Sequence, residues 1–244
     1  MDVVESDQLN ARQAFTHWYY RAKFRLLKER IKETPALDIN SRVADVGCGL
    51  GMFLTFLEYN QVFKASQMTG IDTVYTAPGT AIGGTARILP TWPQGQLFDL
   101  VLMMDVLEHT PDDAQVLGDA VSHLAEGGYI FITVPAFQWL FSSHDRFLGH
   151  YRRYSRRSVM QMLSKCPELE PVSVHYYYAS IFPLAAPLRL LRKNDTRNTA
   201  SDMRHLPRFL NFILRFVTHL ELAVAKRNHF FGLSVVAFCR KRKS

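Results

Sequence analysis

This chain has few cysteines, and several kinds of segment are missing from it. Cys48, Cys166 and Cys239 are the only thiols in 244 residues. They are odd in number and far apart, so they form neither a disulfide framework nor a metal-spaced pair, and a reducing cytoplasm is expected. No run reaches the roughly 18 apolar residues a spanning helix needs. The first ten residues, MDVVESDQLN, are acidic and polar, unlike a secretory leader. Internal repeats and low-complexity tracts are absent. Between Asp72 and Asp99 there is no acidic residue at all.

What remains is the composition of a globular domain, 48% hydrophobic, with formal net charge +7. That charge suits nucleic acid, an anionic membrane surface or an acidic substrate. No segment resembles a nucleic-acid module, so no nucleic-acid partner is expected. The length fits one α/β domain with appended helices. The expected division is a helical segment over 1–36 and a main α/β domain over 37–240, with a helical insertion at about 181–227.

The chain is organised around 42–51, RVADVGCGLG. Val43, Ala44 and Val46 suit a buried parallel strand, Gly47-Cys48-Gly49-Leu50-Gly51 a tight turn, and Met52 onward a helix to about Tyr59. Strand, glycine turn, helix is the first unit of a doubly wound sheet. Glycine permits left-handed angles and close approach of a ligand to the main chain. Asp45, inside the strand, needs a partner there. The spacing is G-x-G-x-G rather than the dinucleotide pattern G-x-G-x-x-G.

Around this unit the periodicity predicts a helix over 11–32, ended by Pro35. Its Trp18, Tyr19 and Tyr20 either cover a pocket or pack on the sheet. A second strand over 67–72 ends at Asp72, placed to accept hydrogen bonds from ribose hydroxyls or to cap a helix. The Gly-, Pro- and Thr-rich stretch 73–96 suggests a short helix near Thr80 and a short strand over 86–89. A buried strand over 98–104 leads into Asp105-Val106-Leu107-Glu108-His109, then a helix over about 110–125 and a strand over 129–134. A helix over 155–165, a strand over 172–178 and an antiparallel strand over 230–239 complete the core.

With its flanking Asp45, the glycine turn resembles the first motif of class I S-adenosylmethionine-dependent methyltransferases. GID at 70–72 matches the second motif and FDLVLMMDVLEH at 98–109 the fourth-strand segment. Gly127-Gly128 before a strand keeps the family's order. Three ordered matches over about 40–135 are far more specific than one. The resemblance implies a doubly wound, mostly parallel seven-stranded α/β sheet and S-adenosyl-L-methionine as cofactor. Asp45, Gly47, Cys48, Gly49, Gly51, Asp72, Asp105 and Val106 would border it. The missing acidic residue after Asp72 departs from the family, which places one near the adenine.

Segment 134–155, VPAFQWLFSSHDRFLGHYRRYS, is very similar to a bacterial methyltransferase subgroup that often accompanies glycosyltransferases. His144 is the expected base, oriented by Asp145, with Tyr151 a phenolic donor. The other reading is that His144, Asp145, His150 and Tyr151 tie up the loop's own hydrogen bonds. Arg152, Arg153, Arg156 and Arg157 either clamp an acidic substrate or lie on a solvated helix start. Asp105, Glu108 and His109 form an oxygen-rich set of the kind that binds a hard cation in quinone-ring O-methyltransferases, but no metal is assigned.

In the tail, 193–205 reads as a polar linker. An amphipathic helix over 206–225 sets Leu206, Leu210, Ile213, Phe216, Val217 and Leu220 against Arg204, Arg208, Asn211, Arg215 and His219. It suits packing on the sheet, a substrate lid, a homodimer interface, or peripheral contact with a membrane through its basic face. The expected activity is methyl transfer to a small molecule, acidic or lipid-linked, at oxygen. The rival is a degenerate member of the fold that serves as a binding or membrane-surface module.

Overall fold

The computed structural model describes residues 15–191 and 206–243. An eight-stranded sheet runs β3-β4-β2-β1-β5-β6-β8-β7. Its strands are β1 (Val43–Val46), β2 (Met68–Ile71), β3 (Gly79–Thr80), β4 (Arg87–Leu89), β5 (Phe98–Met104), β6 (Leu124–Pro135), β7 (Leu169–Tyr177) and β8 (Ser234–Lys241). Val43 pairs in parallel with Met68 on one side and Leu100 on the other. With neighbours on both edges, β1 and β5 are buried on both faces, so they read as continuous apolar runs. β8 is antiparallel to both β6 and β7. The strand order reverses between β2–β1 and β1–β5, and ligands of such sheets bind beyond the carboxyl ends at that point.

Most elements fall where the sequence puts them. The helix α1 (Trp18–Lys32) buries Tyr20, Phe24, Leu27 and Ile31 in the cluster that covers one face of the sheet. The expected start at 11 lies outside the described residues. Helix α2 (Met52–Tyr59) leaves the glycine turn directly. The helix after β5 is shorter than expected, α3 (Asp113–Ser122), because the Asp112 carboxylate accepts from Gln115 N and fixes its start. Two short helices follow, α4 (Ser143–Phe147) and α5 (Arg156–Leu163).

The helix expected near Thr80 is instead β3, antiparallel to β4, which raises the strand count from seven to eight. Two glycines explain the hairpin. A Cβ on Gly79 would lie 2.8 Å from the Tyr75 ring, and Gly83 turns the chain at φ +70. The hairpin is clamped to α2. Thr85 donates to the Glu58 carboxylate from N (2.8 Å) and Oγ1 (2.7 Å), and Thr55 Oγ1 donates to Ile82 O at 2.9 Å.

The tail forms α6 (Phe182–Leu191) and α7 (Arg208–Ala225); the expected linker lies outside the described residues. Packing of the apolar side of α7 against the sheet is not what the structure shows. The helix turns Thr218, Glu221 and Ala225 inward, and leaves Phe209, Phe212, Phe216 and Leu220 between 55% and 75% exposed. Each such side chain forgoes roughly 1.5–3 kcal/mol of burial. Polar contacts set the orientation. Glu221 accepts from Ala179 N (2.8 Å) and Ser180 N (3.1 Å) at the start of α6, and Asn211 Oδ1 accepts from Trp18 N at 2.8 Å. No helix among the described residues is long and apolar enough to cross a membrane.

Candidate functional site

The turn after β1 is shaped by three glycines with φ of 61, 53 and 71 at Gly47, Gly49 and Gly51. A side chain at Gly51 would sit 2.6 Å from Ala81 Cβ, and one at Gly47 would sit 2.8 Å from Val106 Cγ2. Glycine is therefore needed both for the angles and for closeness to the hairpin and to Val106. The three N–H groups are spent within the protein. Gly47 donates to Ile71 O (2.7 Å), Gly51 to Cys48 O (2.9 Å) and Gly49 to Asp72 Oδ2 (2.7 Å). Cys48 contributes only backbone, since its thiol is buried against Gly70 and its pKa is pushed up by that burial.

Asp45 is the unusual group. It is 1% exposed, and its Oδ2 has no hydrogen-bond partner. Burial, and then the Asp72 charge, push its pKa up to about 7. A buried carboxylate oxygen with no partner, beside a turn whose donors are committed, is a receptor for a cation. The amino-acid ammonium of S-adenosylmethionine meets that requirement, so the residues present fit the expected cofactor.

Asp72, at the end of β2, is half-buried. Besides Gly49 N, its Oδ1 accepts from Val74 N at 3.0 Å. It thus ties the strand end to the glycine turn instead of capping a helix, and its remaining lone pairs are available to ribose hydroxyls. Tyr75, which sequence reasoning did not single out, donates from its hydroxyl to Gly49 O at 3.1 Å and closes this side.

Asp105 ends β5 with φ 58, a left-handed angle rare outside glycine. Its Oδ1 accepts from Thr133 Oγ1 (3.0 Å), and its Oδ2 from Tyr19 OH (3.1 Å) and from the Lys23 ammonium. Lys23 is itself buried, with its ammonium 4.5 Å from the Tyr19 ring centroid. The aromatic row therefore does both things considered for it. Tyr20 packs in the core, while Tyr19 reaches the site. Lys23 and Thr133 were missed. A lysine on the buried side of α1, three residues after Tyr20 and one before Phe24, was the available signal.

The loop after β6 folds back over the Glu108–His109 turn, with Tyr151 N donating to Glu108 O at 2.7 Å. Asp145 is fully buried. Its Oδ2 accepts from Ser142 N (2.8 Å) and Ser142 Oγ (3.2 Å), the capping box of α4. Its Oδ1 bonds His150 Nδ1 (2.9 Å) and accepts from Arg153 Nε (2.7 Å). The imidazole set on Asp145 is thus His150. Its ring lies edge-on to His109, centroids 4.5 Å apart. His144 is a mostly buried residue of α4, and Tyr151 is 58% exposed.

Three of the four arginines have structural partners. Arg152 pairs with Asp113 (3.3 Å), Arg153 with Asp145, and Arg156 Nε donates to Val174 O (2.8 Å). Only Arg157 among them is exposed. Glu108, His109 and His150 bring one ligand atom each to within 4.8 Å of one another. Asp105 has gone to Lys23 instead, so the cation set considered from sequence changes its third member.

The methyltransferase domain model matches residues 7–175. Over 116 residues the chain is 31% identical to a ubiquinone biosynthesis O-methyltransferase of Bordetella bronchiseptica, covering 42% of this chain and 46% of the relative. The chain thus spans about half the length of that curated relative. Among solved structures, the plantazolicin methyltransferase BpumL with a triazolic desmethylPZN analog and SAH superposes with TM-score 0.58 at 14% identity, over 98% of this chain and 90% of that one. A putative sarcosine dimethylglycine methyltransferase from Galdieria sulphuraria gives 0.57 at 12%, over 90% and 85%. The [4+2]-cyclase SpnF gives 0.55 at 17%, over 89% and 81%. Such low identities carry the fold alone. The family match over most of the chain, the motif order and the cation-receptive turn converge: the chain belongs to the methyltransferase domain family, with a turn that fits the S-adenosyl-L-methionine its motifs imply.

Proposed function

We propose that the enzyme methylates a hydroxyl oxygen of a small molecule and that His150, held by Asp145, takes the proton. The carrying observation is the 2.9 Å bond from His150 Nδ1 to a carboxylate with no solvent exposure. A buried carboxylate fixes the tautomer with Nδ1–H, leaving Nε2 basic. Arg153 Nε donates to the same oxygen at 2.7 Å, a charge-assisted bond that holds the carboxylate in place. The similarity to an O-methyltransferase over 116 residues supports oxygen as the acceptor atom.

S-adenosylmethionine supplies a methyl group on a sulfonium, which becomes a neutral thioether as the carbon–sulfur bond breaks. Asp45 would hold its ammonium, Asp72 its ribose, and Val106 with Gly47, Gly49 and Gly51 would wall the cleft. The chain's own task is to align the acceptor oxygen and receive its proton. Tyr151 lies on the same loop as His150 and is assigned as a donor to the acceptor. His144 is the competing base.

The acceptor is found as the compound in a metabolite extract that gains one methylene in mass with enzyme and donor. With it, His150→Ala should lower kcat by about 10²–10⁴-fold while donor binding is kept. His144→Ala should stay within a few-fold of wild type. The reverse ranking would reassign the base. A second reading rests on the Glu108–His109–His150 cluster: a divalent cation held there would make His150 a ligand. Turnover abolished by EDTA and restored by a divalent cation would establish it. Calorimetry with S-adenosylmethionine tests the rival binding-module reading; no heat at millimolar donor would favour it.

A further inference from the structure

Helix α7 presents its apolar side outward. Phe209, Phe212, Ile213, Phe216, Leu220 and Val224 recur at intervals of three and four, and all are exposed. They form one continuous stripe along about four turns. Helix α6 repeats the pattern with exposed Leu184, Leu188 and Leu191. Single exposed apolar residues need no explanation, but a contiguous surface of this size marks an interaction site.

One flank of the stripe is cationic. Arg208 and His219 are exposed, and Arg215 lies on the same side of the helix. Arg215 faces Arg25 of α1, whose Nη1 donates to Arg215 O at 3.1 Å. Burial, then the Arg215 charge, then the Arg25 charge hold the Arg21 guanidinium below its ordinary value. Arg21 Nε is buried and makes no hydrogen bond. No carboxylate among the described residues pairs with Arg21, Arg25 or Arg215. The single acidic residue of α7, Glu221, is committed to Ala179 and Ser180.

We infer that the outer face of α6 and α7 docks on an anionic lipid bilayer, with the Phe–Leu stripe in the acyl boundary and Arg21, Arg25 and Arg215 on headgroup phosphates. An apolar stripe bordered by unanswered guanidinium groups matches both layers of such a surface. A second copy of this chain matches it less well. It would bring the same cations, the same +7 charge and no exposed acidic side chain on α7 to meet them. The stripe starts beside Asn211, which holds Trp18 and Thr16, next to the Tyr19 and Lys23 that close over Asp105. Docking therefore sets the rim of the donor cleft at the membrane. This does not rest on the identity of the acceptor or of the base.

The test is flotation of the full chain with phosphatidylcholine vesicles and with equimolar phosphatidylcholine and phosphatidylglycerol vesicles. The wild type should float with the anionic vesicles and be released as salt rises. F212S/F216S should lose partitioning by about tenfold or more. R21Q/R215Q should reduce binding to anionic vesicles to the level seen with phosphatidylcholine. S-adenosylhomocysteine binding by each variant reports that it is folded. The inference is overturned if the wild type ignores anionic vesicles, or if the folded F212S/F216S still floats. It is equally overturned if the wild type sediments as a dimer that F212S/F216S dissociates while neither binds vesicles, for then the stripe is a self-interface.

Discussion

Replacing Asp45 by Asn should raise the stability of the donor-free protein and abolish tight donor binding, an uncommon pair of signs. The side chain is buried, one oxygen lacks a partner, and its pKa rises from 3.8 to about 7. A shift near 3 pKa units is worth about 4 kcal/mol, the cost of keeping the ionised group there without a counter-charge. The native state keeps a proton between the unfolded value and about 7 that the unfolded chain has released. Stability therefore falls as pH rises through that window. Asn avoids this cost but leaves amide donors to satisfy, at about 1–3 kcal/mol. The net gain above neutral pH is about 1–3 kcal/mol, or a few degrees in Tm at about 2–4 °C per kcal/mol. It should shrink as pH falls and change sign below the unfolded value of 3.8, where Asp45 is neutral in both states and only the amide cost remains.

Donor binding goes the other way. The bound ammonium would lose a buried charge partner, at about 3–5 kcal/mol, or about 10²–10⁴-fold in Kd. Wild-type affinity should also rise with pH up to about 7, because binding a cation ionises Asp45. Calorimetry with S-adenosylhomocysteine and thermal melts across pH read all three effects. A Kd within threefold of wild type, or a D45N melt several degrees lower at alkaline pH, would refute the assignment of Asp45 as a cation receptor.

Four further outcomes are expected. Gly51→Ala should cost about 1–3 kcal/mol in chemical denaturation and weaken donor binding, since its Cβ falls 2.6 Å from Ala81 Cβ at φ +71. Gly95→Ala, at φ +67 with nothing within 4 Å, isolates the backbone strain and should leave donor binding unchanged. Lys23→Met should destabilise by about 1.5–3 kcal/mol by removing the ammonium from Asp105, which keeps Tyr19 and Thr133, and K23M/D105N should recover part of that; a loss below about 1 kcal/mol would show the pair is not structural. His175 is buried against Arg30 (3.2 Å), and burial, the largest cause, lowers its pKa to about 4. The unfolded chain takes up a proton first as pH falls from 6.5 to about 4, so stability is lost through that window, by up to about 3 kcal/mol, and His175→Gln should flatten the loss in denaturation curves taken across it.

How much was legible follows from what each signal encodes. The glycine turn and β5 could be read directly, because left-handed angles demand glycine and a strand buried on both faces demands an unbroken apolar run. The helix at 208–225 was legible as two-sided, but periodicity does not say which side faces in. Glu221 and Asn211 decide that, through partners at 179–180 and at 16 and 18, too distant in sequence to anticipate. Proximity in the chain does not give the full set of partners at Asp145. Adjacency makes His144 the expected imidazole beside Asp145, and the structure adds a bond to His150, five residues on, across the end of α4. The Ser142-x-x-Asp145 spacing did carry the capping box.

The two carboxylates that flank the switch point have opposite electrostatic situations, and this bears on how the cleft selects its ligand. Asp45 in β1 and Asp105 after β5 belong to neighbouring parallel strands. Asp105 is answered from within by the Lys23 ammonium, the Tyr19 hydroxyl and Thr133. Asp45 has no such answer at Oδ2. Had both been left open, the cleft would repel anions along its whole floor and could take two cations. With one neutralised by α1, a single positive group is wanted, on the β1 side, beside the glycine turn. Asp45 would hold the ammonium of the donor there, while the loop that carries the Asp145–His150 pair is tied to the turn after β5 through Tyr151 N on Glu108 O. A helix N-terminal to the sheet thus sets the charge balance of a site formed by the strand ends, so loosening α1 by Lys23→Met should weaken donor binding as well as stability.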